Sequence, residues 1–118
     1  MTKVKQSSLV NDIINVINKI GSYTADLSYR EFSHRPLVID ACLHNIQIIG
    51  DAVNNLKEET RQKSESIPWN LLKGIRARLI NENFEAEPEA VWDVVMQALP
   101  ELREKLERLH KRLVARDL

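Results

Sequence analysis

The apolar residues of this chain recur at steps of three and four positions, which is the spacing of one face of an α-helix. No stretch alternates for long between apolar and polar residues, so the pattern does not indicate β-strands. Three glycines and four prolines are few for 118 residues. The pattern therefore predicts an all-α protein, folded as an up-and-down bundle of four to five helices.

The first two predicted helices have clear boundaries. The first runs from about Ser8 to Ser22, with Gly21 near its end as a stop signal. The second begins at Pro36, because proline suits the first position of a helix, and continues to about Glu59. Apolar residues cover so much of its circumference that we expect this helix to be central in the bundle.

Shorter signals divide the middle of the chain. Residues 28–31 have the spacing of a capping box, from Ser28 to Glu31, which predicts a short helical turn. A charged loop is predicted for residues 60–66. The third helix is predicted to begin at Pro68 and to fray over residues 81–84, because asparagine side chains compete for backbone hydrogen bonds.

The last third of the chain predicts two more helices. Pro88 opens the fourth, and Pro100 is expected to kink or briefly interrupt it, since proline lacks a backbone N–H and crowds the preceding turn. Leucines then follow one another at alternating steps of three and four: Leu99, Leu102, Leu106, Leu109 and Leu113. This ladder is too short to favour a coiled coil, so we expect it to pack inside the bundle.

Composition and length indicate a globular protein outside the membrane. Apolar residues make up 43% of the chain and charged residues 29%, which is typical of one folded domain, here residues 1–118. The longest apolar runs are too short to span a bilayer, and the N-terminus does not resemble a secretion signal. We expect Cys42, the one cysteine of the sequence, to be a buried thiol in a cytoplasmic protein.

The charges balance overall but are unevenly distributed. Seventeen basic residues match seventeen acidic ones, so the overall basic surplus of a nucleic-acid-binding domain is missing. Lys73, Arg76 and Arg78 nevertheless form a cluster that no carboxylate interrupts. An acidic run follows: Glu82, Glu85, Glu87, Glu89 and Asp93. A positive site beside a negative rim is one interpretation, and solvated helix faces are the other.

Helix geometry sets a condition on this segment. On an ideal α-helix, Asn83 would return to nearly the same face as Arg76, with Lys73 one turn earlier. Asn81 would point about 140 degrees away. Arg76 and Asn81 can therefore meet only if the helix unwinds there or if a second copy of the chain contributes its own residue. The polar end of the segment favours unwinding, and a symmetric dimer would permit the other arrangement.

Five separated segments occur in an order and spacing that are typical of one known family. Residues 48–52 centre on a glycine in the second helix, and residues 67–69 and 74–76 lead into the basic cluster. Residues 89–93 and 99–103 follow. Over about residues 9–109 the chain resembles the HepT-like ribonucleases of the HEPN superfamily.

The resemblance implies a fold, an activity and partners. It implies a HEPN-like helical domain that forms a homodimer, in which two copies of the motif face each other and cleave RNA without a metal or other cofactor. It also implies a partner, a minimal nucleotidyltransferase antitoxin of the MntA type. In relatives, this antitoxin silences the toxin by adding AMP to the motif tyrosine.

The chain departs from the family motif, which is arginine, four residues, histidine, one residue, tyrosine. Arg76 matches, but Ala77 follows it where a polar residue is usual, Asn81 stands at the histidine position and Asn83 at the tyrosine position. Histidine suits RNA cleavage because it exchanges protons near neutral pH, whereas asparagine does not titrate there. Losing a general acid or base typically lowers the rate by about 10² to 10⁴. Asn83 offers no hydroxyl for modification.

These departures lead to one prediction and two alternatives. We predict the toxin component of a toxin–antitoxin pair, with weak or absent ribonuclease activity and with Lys73, Arg76 and Arg78 as its RNA-phosphate contacts. The alternatives are an active ribonuclease that uses Arg76 with another base, and a non-catalytic helical interaction module.

Three histidines are candidates for another base: His34, His44 and His110. His44 comes first if the second helix lines the same cleft as Arg76. His44 and Asp40 lie four positions apart, but two ligands are too few to indicate a metal site, so none is predicted.

Overall fold

Three long helices carry most of the apolar stripes of the chain. The computed structural model describes residues 5–117, and its long helices are α1 (Gln6–Thr24), α3 (Pro36–Asn55) and α7 (Leu99–Asp117). Helix α1 packs against both α3 and α7. Shorter elements join them: α2 (Tyr29–Ser33), α4 (Glu58–Gln62), α5 (Trp69–Lys73), a 3₁₀ turn (Ile75–Arg78), α6 (Pro88–Asp93) and a π-helical segment (Val94–Ala98). The predicted all-α helical bundle is confirmed.

The core forms where the stripes of the long helices meet. Ile13 of α1, Ile46 of α3 and Leu106 of α7 are almost completely buried. Each such side chain stabilises the fold by about 1.5–3 kcal/mol relative to an exposed position. All five leucines of the ladder are buried as well. Packing of the ladder inside the bundle is therefore confirmed.

The capping box before α2 is present as predicted. The backbone N–H of Ser28 donates to the Glu31 carboxylate (3.0 Å), and the backbone N–H of Glu31 donates to the Ser28 hydroxyl (3.1 Å). The first of these bonds, helped by the Ser28 side chain, holds the pKa of Glu31 below its usual value. Helix α2 also buries Phe32 against Trp92 of α6, with ring centroids 4.9 Å apart.

Helix α3 ends at Asn55, earlier than the predicted Glu59. The Arg61 guanidinium donates to two carbonyl groups at its end, those of Val53 (3.1 Å) and Leu56 (2.7 Å). The Val53 carbonyl also accepts from the backbone N–H of Leu56 (3.2 Å), and the guanidinium adds a donor for both carbonyls, so it acts as a C-terminal cap. The apolar periodicity of the sequence does not predict this earlier end of α3, because the capping residue comes from a later segment of the chain.

The prediction of a loop over residues 60–66 was wrong at its start, where α4 occupies part of the segment. The Gln6 side-chain oxygen accepts hydrogen bonds from the backbone N–H of Lys57 (3.0 Å) and from the hydroxyl of Thr60 (2.9 Å). Thr60 is buried by this contact with α1. A charged sequence forms a helical turn here because a residue more than fifty positions away satisfies its polar groups.

The third helix is shorter than predicted. It begins at Trp69, directly after Pro68, and it ends at Lys73 instead of continuing to Asn81. The Trp69 indole N–H donates to the backbone oxygens of Arg61 (2.9 Å) and Ser64 (3.1 Å), which anchors α5 to the end of α4. Beyond Gly74 the chain tightens into the 3₁₀ turn.

Pro100 does not break the last helix. The helical run continues from Pro88 to Asp117, and the π-helical segment lies just before the proline. A π turn is wider than an α turn, so it accommodates the missing N–H and the bulk of the ring without ending the helix. Among residues 5–117, no helix is both long and apolar enough to cross a membrane.

Candidate functional site

A cleft of about 810 Å³ lies between α3 and the loop that follows the 3₁₀ turn. Helix α3 contributes Asp40 and His44, the 3₁₀ turn contributes Arg76, and the loop contributes Phe84 and Glu85. The volume is in the range of pockets that bind small organic ligands. The cleft thus combines a guanidinium, an imidazole, two carboxylates and an aromatic ring.

The α3 wall of the cleft follows from helical spacing. Asp40, His44 and Gln47 lie at steps of four and three, so they share one face of α3, and all three line the cleft. Ile46 lies on the opposite face and is buried in the core. The condition that the sequence set for His44 is met, since His44 and Arg76 line the same cleft.

Arg76 is positioned by a close approach of two backbones. At Gly50 of α3, an added Cβ would lie 2.8 Å from the carbonyl oxygen of Leu72 in α5. Real side chains do not tolerate such a contact, so any other residue would push away α5 and the 3₁₀ turn behind it. The glycine at the centre of the second-helix signature therefore sets the distance between α3 and Arg76.

A smaller cleft of about 260 Å³ lies on the other side of Arg76. Lys73 and Arg76 line it, together with Gln47 and Asp51 of α3. Arg78 is exposed at the end of the 3₁₀ turn and lines neither of the two clefts. The structure thus groups two of the three predicted phosphate-binding residues and separates the third.

The Arg76 guanidinium has no partner among the residues that the structure describes. The ion pairs found there, Glu101 with Lys105 (3.3 Å) and Glu104 with Arg108 (4.0 Å), both lie on α7. An exposed guanidinium without a carboxylate partner is available to an anionic ligand, and its planar fork suits phosphate.

The loop after the 3₁₀ turn forms a small hairpin over residues 80–86, called the hairpin loop below. Ile80 and Ala86 form an antiparallel bridge, and the backbone N–H of Glu87 donates to the carbonyl oxygen of Leu79 (2.8 Å). The segment is unwound, as its polar end favoured, so the ideal-helix placement of Asn83 on the same face as Arg76 does not apply. The predicted loss of helix near Asn81 is correct but begins earlier, at Gly74.

Asn81 organises the inside of this loop. Its side-chain oxygen accepts hydrogen bonds from the backbone N–H groups of Asn83 (2.8 Å) and Glu85 (3.1 Å). Its backbone carbonyl accepts from Phe84 (3.0 Å), and its backbone N–H donates to the carbonyl of Glu85 (2.8 Å). The amide oxygen thus acts as an Asx-type brace for the turn, a role that asparagine commonly fills.

The profile of the family described as "Ribonuclease HepT-like" matches residues 13–109. The chain belongs to the HepT-like ribonuclease family. The resemblance inferred from the sequence signatures is therefore confirmed, and the match covers every helix that borders the cleft.

Several relatives are similar over most of their length. A "Putative RNase" from Caldanaerobacter subterraneus subsp. tengcongensis is 31% identical over 83 residues, which are 70% of this chain and 74% of that protein. A "Putative RNase" from Methanocaldococcus jannaschii is 28% identical over 113 residues, 96% and 97% of the two chains. A "Probable ribonuclease HepT" from Thermococcus cleftensis is 26% identical over 109 residues, 92% and 99% of the two chains. No solved structure matches significantly.

The motif positions of this HepT-like chain are dispersed in the structure. Arg76 lines both clefts, but Asn81 and Asn83 are absent from the lining of either one. Asn83 is exposed, and its backbone N–H is bound by Asn81. Within one copy of the chain, Arg76 therefore shares a cleft with His44 and not with Asn81.

The two other histidines lie elsewhere. His34 Nδ1 is 2.8 Å from the carbonyl oxygen of Arg30, beyond the end of α2. His110 is half-buried on α7. Among the described residues, no group of three or more histidine, cysteine or carboxylate side chains is placed to hold a metal ion.

Sequence reasoning missed two residues that line the cleft, Phe84 and Glu85. Phe84 was expected only at the fraying end of the third helix, and Glu85 only as a member of the acidic run. One signal was present: Phe84 is a large aromatic residue in a polar stretch, where the third helix was expected to fray. Such a residue has no predicted place in the core, and an exposed aromatic side chain indicates a contact at the surface.

Proposed function

We propose that this HepT-like protein binds RNA at the cleft between α3 and the hairpin loop, and that it cleaves RNA weakly or not at all. The observation that carries the proposal is the engagement of Asn81, whose amide oxygen is taken up by two backbone N–H groups. An amide does not titrate near neutral pH, so this position provides no proton carrier. The guanidinium of Arg76, which has no partner within residues 5–117, supports phosphate binding without proton transfer.

The wider role that we propose is that of the toxin component in a toxin–antitoxin pair. The protein would act as a single domain over residues 1–118, as a cytoplasmic homodimer, with an MntA-like nucleotidyltransferase as its partner. Two exposed apolar residues of α3, Leu37 (85% exposed) and Ile48 (36% exposed), are consistent with a protein contact on that helix. Co-purification with the nucleotidyltransferase encoded alongside tests this pairing, and the absence of a complex at micromolar concentration would contradict it.

An RNA cleavage assay tests the catalytic part of the proposal. We expect the unaltered protein to leave single-stranded RNA intact over hours, while binding it in a way that Arg76→Ala weakens. Arg108→Ala is the matched control, because it removes the same charge from an exposed position on α7. Cleavage by the unaltered protein that disappears in Arg76→Ala and persists in Arg108→Ala would overturn the proposal.

A second candidate function is that of an active ribonuclease with His44 as the base. It is favoured by one observation, that His44 and Arg76 line the same cleft. On this hypothesis His44→Gln lowers the cleavage rate by about 10² to 10⁴. His34→Gln, which changes an imidazole outside this cleft, should leave the rate unaltered.

A further inference from the structure

The backbone at Phe84 has a conformation that is unusual for its side chain. Its φ is +62°, in the left-handed region, which costs an L-residue other than glycine free energy that the surroundings must supply. The ring gains nothing from burial in return, since 80% of the residue surface is exposed. Folding of this chain alone therefore gives no reason for a phenylalanine at this position.

The hairpin loop holds Phe84 on both sides. The backbone N–H of Phe84 donates to the carbonyl of Asn81 (3.0 Å), and the N–H groups of Asn83 and Glu85 both donate to the Asn81 side chain. The bridge between residues 80 and 86 closes the loop below them. A ring held by a braced loop loses little further conformational entropy when a ligand packs against it.

The chemistry around the ring indicates what could pack there. Phe84 lines the same cleft as Arg76, whose guanidinium has no partner among the described residues, and as His44. Asp40 and Glu85 also line the cleft and would repel a second phosphate, but their oxygens can accept hydrogen bonds from the amino groups of a base. An aromatic face that shares a cleft with a single guanidinium suits one nucleotide, with its base on the ring and its phosphate at Arg76.

We propose that Phe84 is a stacking platform for an unpaired base of single-stranded RNA. The inference rests on the proposed RNA binding and adds the residue that contacts the base. Stacking on an aromatic side chain tolerates any base, because every base has a π-face. Removing the ring while keeping its size and apolar character should therefore weaken binding of single-stranded RNA by about 5- to 150-fold.

Fluorescence anisotropy of a labelled ten-nucleotide single-stranded RNA tests the proposal with the full chain. We expect Phe84→Leu to weaken binding by the stated factor and Phe84→Trp to retain it within about threefold, since a larger aromatic face stacks at least as well. Val114→Ala is the control, because Val114 is an exposed apolar residue of α7 outside the cleft. The affinity for a duplex of the same sequence should be nearly the same in Phe84→Leu and the unaltered protein, because the bases of a duplex are already stacked on one another.

Salt dependence separates this inference from the proposal on which it rests. Arg76→Ala should reduce the slope of the logarithm of affinity against the logarithm of salt concentration, whereas Phe84→Leu should lower affinity at every salt concentration without changing that slope. No binding of RNA by the unaltered protein at low salt would overturn the proposed function and the platform with it. Binding that is equal in the unaltered protein and Phe84→Leu would overturn the platform alone.

Two further measurements keep the outcome decisive. If Phe84→Leu turns a dimer into a monomer in sedimentation experiments and loses RNA affinity only for that reason, Phe84 belongs to a contact between copies and the platform is wrong. If Phe84→Leu is poorly folded, the Phe84→Trp variant gives the answer directly. RNA should then quench its fluorescence beyond the quenching of Trp69 and Trp92 in the unaltered protein, and no additional quenching at saturation would overturn the platform.

Discussion

Asn81 shows, at the scale of a single residue, how an amide side chain braces a turn. Its side-chain oxygen accepts two backbone hydrogen bonds inside the loop that carries Phe84. A histidine can offer one ring nitrogen as an acceptor at most, and none when it is protonated. Placing a histidine at position 81 therefore changes both the chemistry and the loop.

We predict that Asn81→His destabilises the protein by about 1–2 kcal/mol, as expected for the loss of one or two hydrogen bonds to the side-chain oxygen of a half-buried residue. Urea unfolding of the variant and the unaltered protein measures the difference. Asn81→Asp is the matched control, because a carboxylate keeps the acceptor, and Asn83→Tyr should change stability by less than about 0.5 kcal/mol. Equal stability of Asn81→His and Asn81→Asp would contradict the bracing role.

Cys42 gives a second prediction at this scale. Burial in the core raises the pKa of its thiol to about 11 from an ordinary value of 9.0, because the charged thiolate is poorly solvated there. We expect Cys42 to resist thiol reagents at pH 7 in the native protein and to react fully in denaturant.

The same shift predicts a dependence of stability on alkaline pH. The folded pKa lies above the unfolded one, so the contribution of this thiol is fully present below about pH 9 and is lost as the pH rises through about 11. Unfolding free energies measured from pH 8 to 11 should therefore fall more steeply for the unaltered protein than for Cys42→Ala. Parallel pH profiles for the two proteins would show that the thiol is not responsible.

At the scale of elements, the site depends on how closely α3 approaches α5. Gly50 permits this approach, since a Cβ would meet the Leu72 carbonyl oxygen at 2.8 Å. A carbonyl oxygen belongs to the backbone and cannot rotate away, so the helix that carries it must shift. The 3₁₀ turn and Arg76 follow directly after α5 and would shift with it.

Two glycine substitutions should have opposite effects for this reason. We expect Gly50→Ala to destabilise the protein by about 1–3 kcal/mol through overpacking, although alanine is the better helix former. Gly21→Ala should stabilise it by up to about 1 kcal/mol, because Gly21 lies within α1 and a Cβ there meets nothing within 4 Å. Thermal unfolding of both variants measures the contrast, and stabilisation by Gly50→Ala would show that α5 is free to move.

At the scale of the whole molecule, charge neutrality limits how the protein can attract RNA. Seventeen positive and seventeen negative side chains give no long-range field that favours polyanions. The proposed RNA binding must then come from a few local contacts, and the clefts on either side of Arg76 hold only Lys73 and Arg76 as free cations among their described residues. A small number of phosphate contacts implies a shallow dependence on salt.

We predict a salt slope of about −1.4 for single-stranded RNA, which corresponds to about 0.7 for each of two phosphate contacts. Lys73→Ala and Arg76→Ala should each reduce its magnitude by about 0.7, whereas Arg78→Ala should have little effect, because Arg78 lines neither cleft. Anisotropy titrations at several salt concentrations measure the slopes. An Arg78→Ala effect as large as that of Arg76→Ala would show that the basic cluster acts as one surface.

The sequence by itself determined the helical class, the apolar stripes, the helix starts at Pro36 and Pro88, the capping box of α2 and the burial of Cys42. These features share one physical property. Each depends on residues within about one helical turn, or on a side chain whose apolar character requires burial in almost any fold. The pattern of residues along the chain therefore predicts features that depend on such short-range interactions.

Only the tertiary structure decided where α3 and α5 end, how the loop around Asn81 closes and which side chains meet at the cleft. The end of α3 depends on the guanidinium of Arg61, and the position of Arg76 depends on Gly50 in another helix. At these places, the preference of the local residues for helix over loop is smaller in free energy than such contacts with distant residues. The tertiary fold therefore brings His44, Arg76 and Phe84 together. The spacing of residues along the sequence does not predict contacts between separate elements.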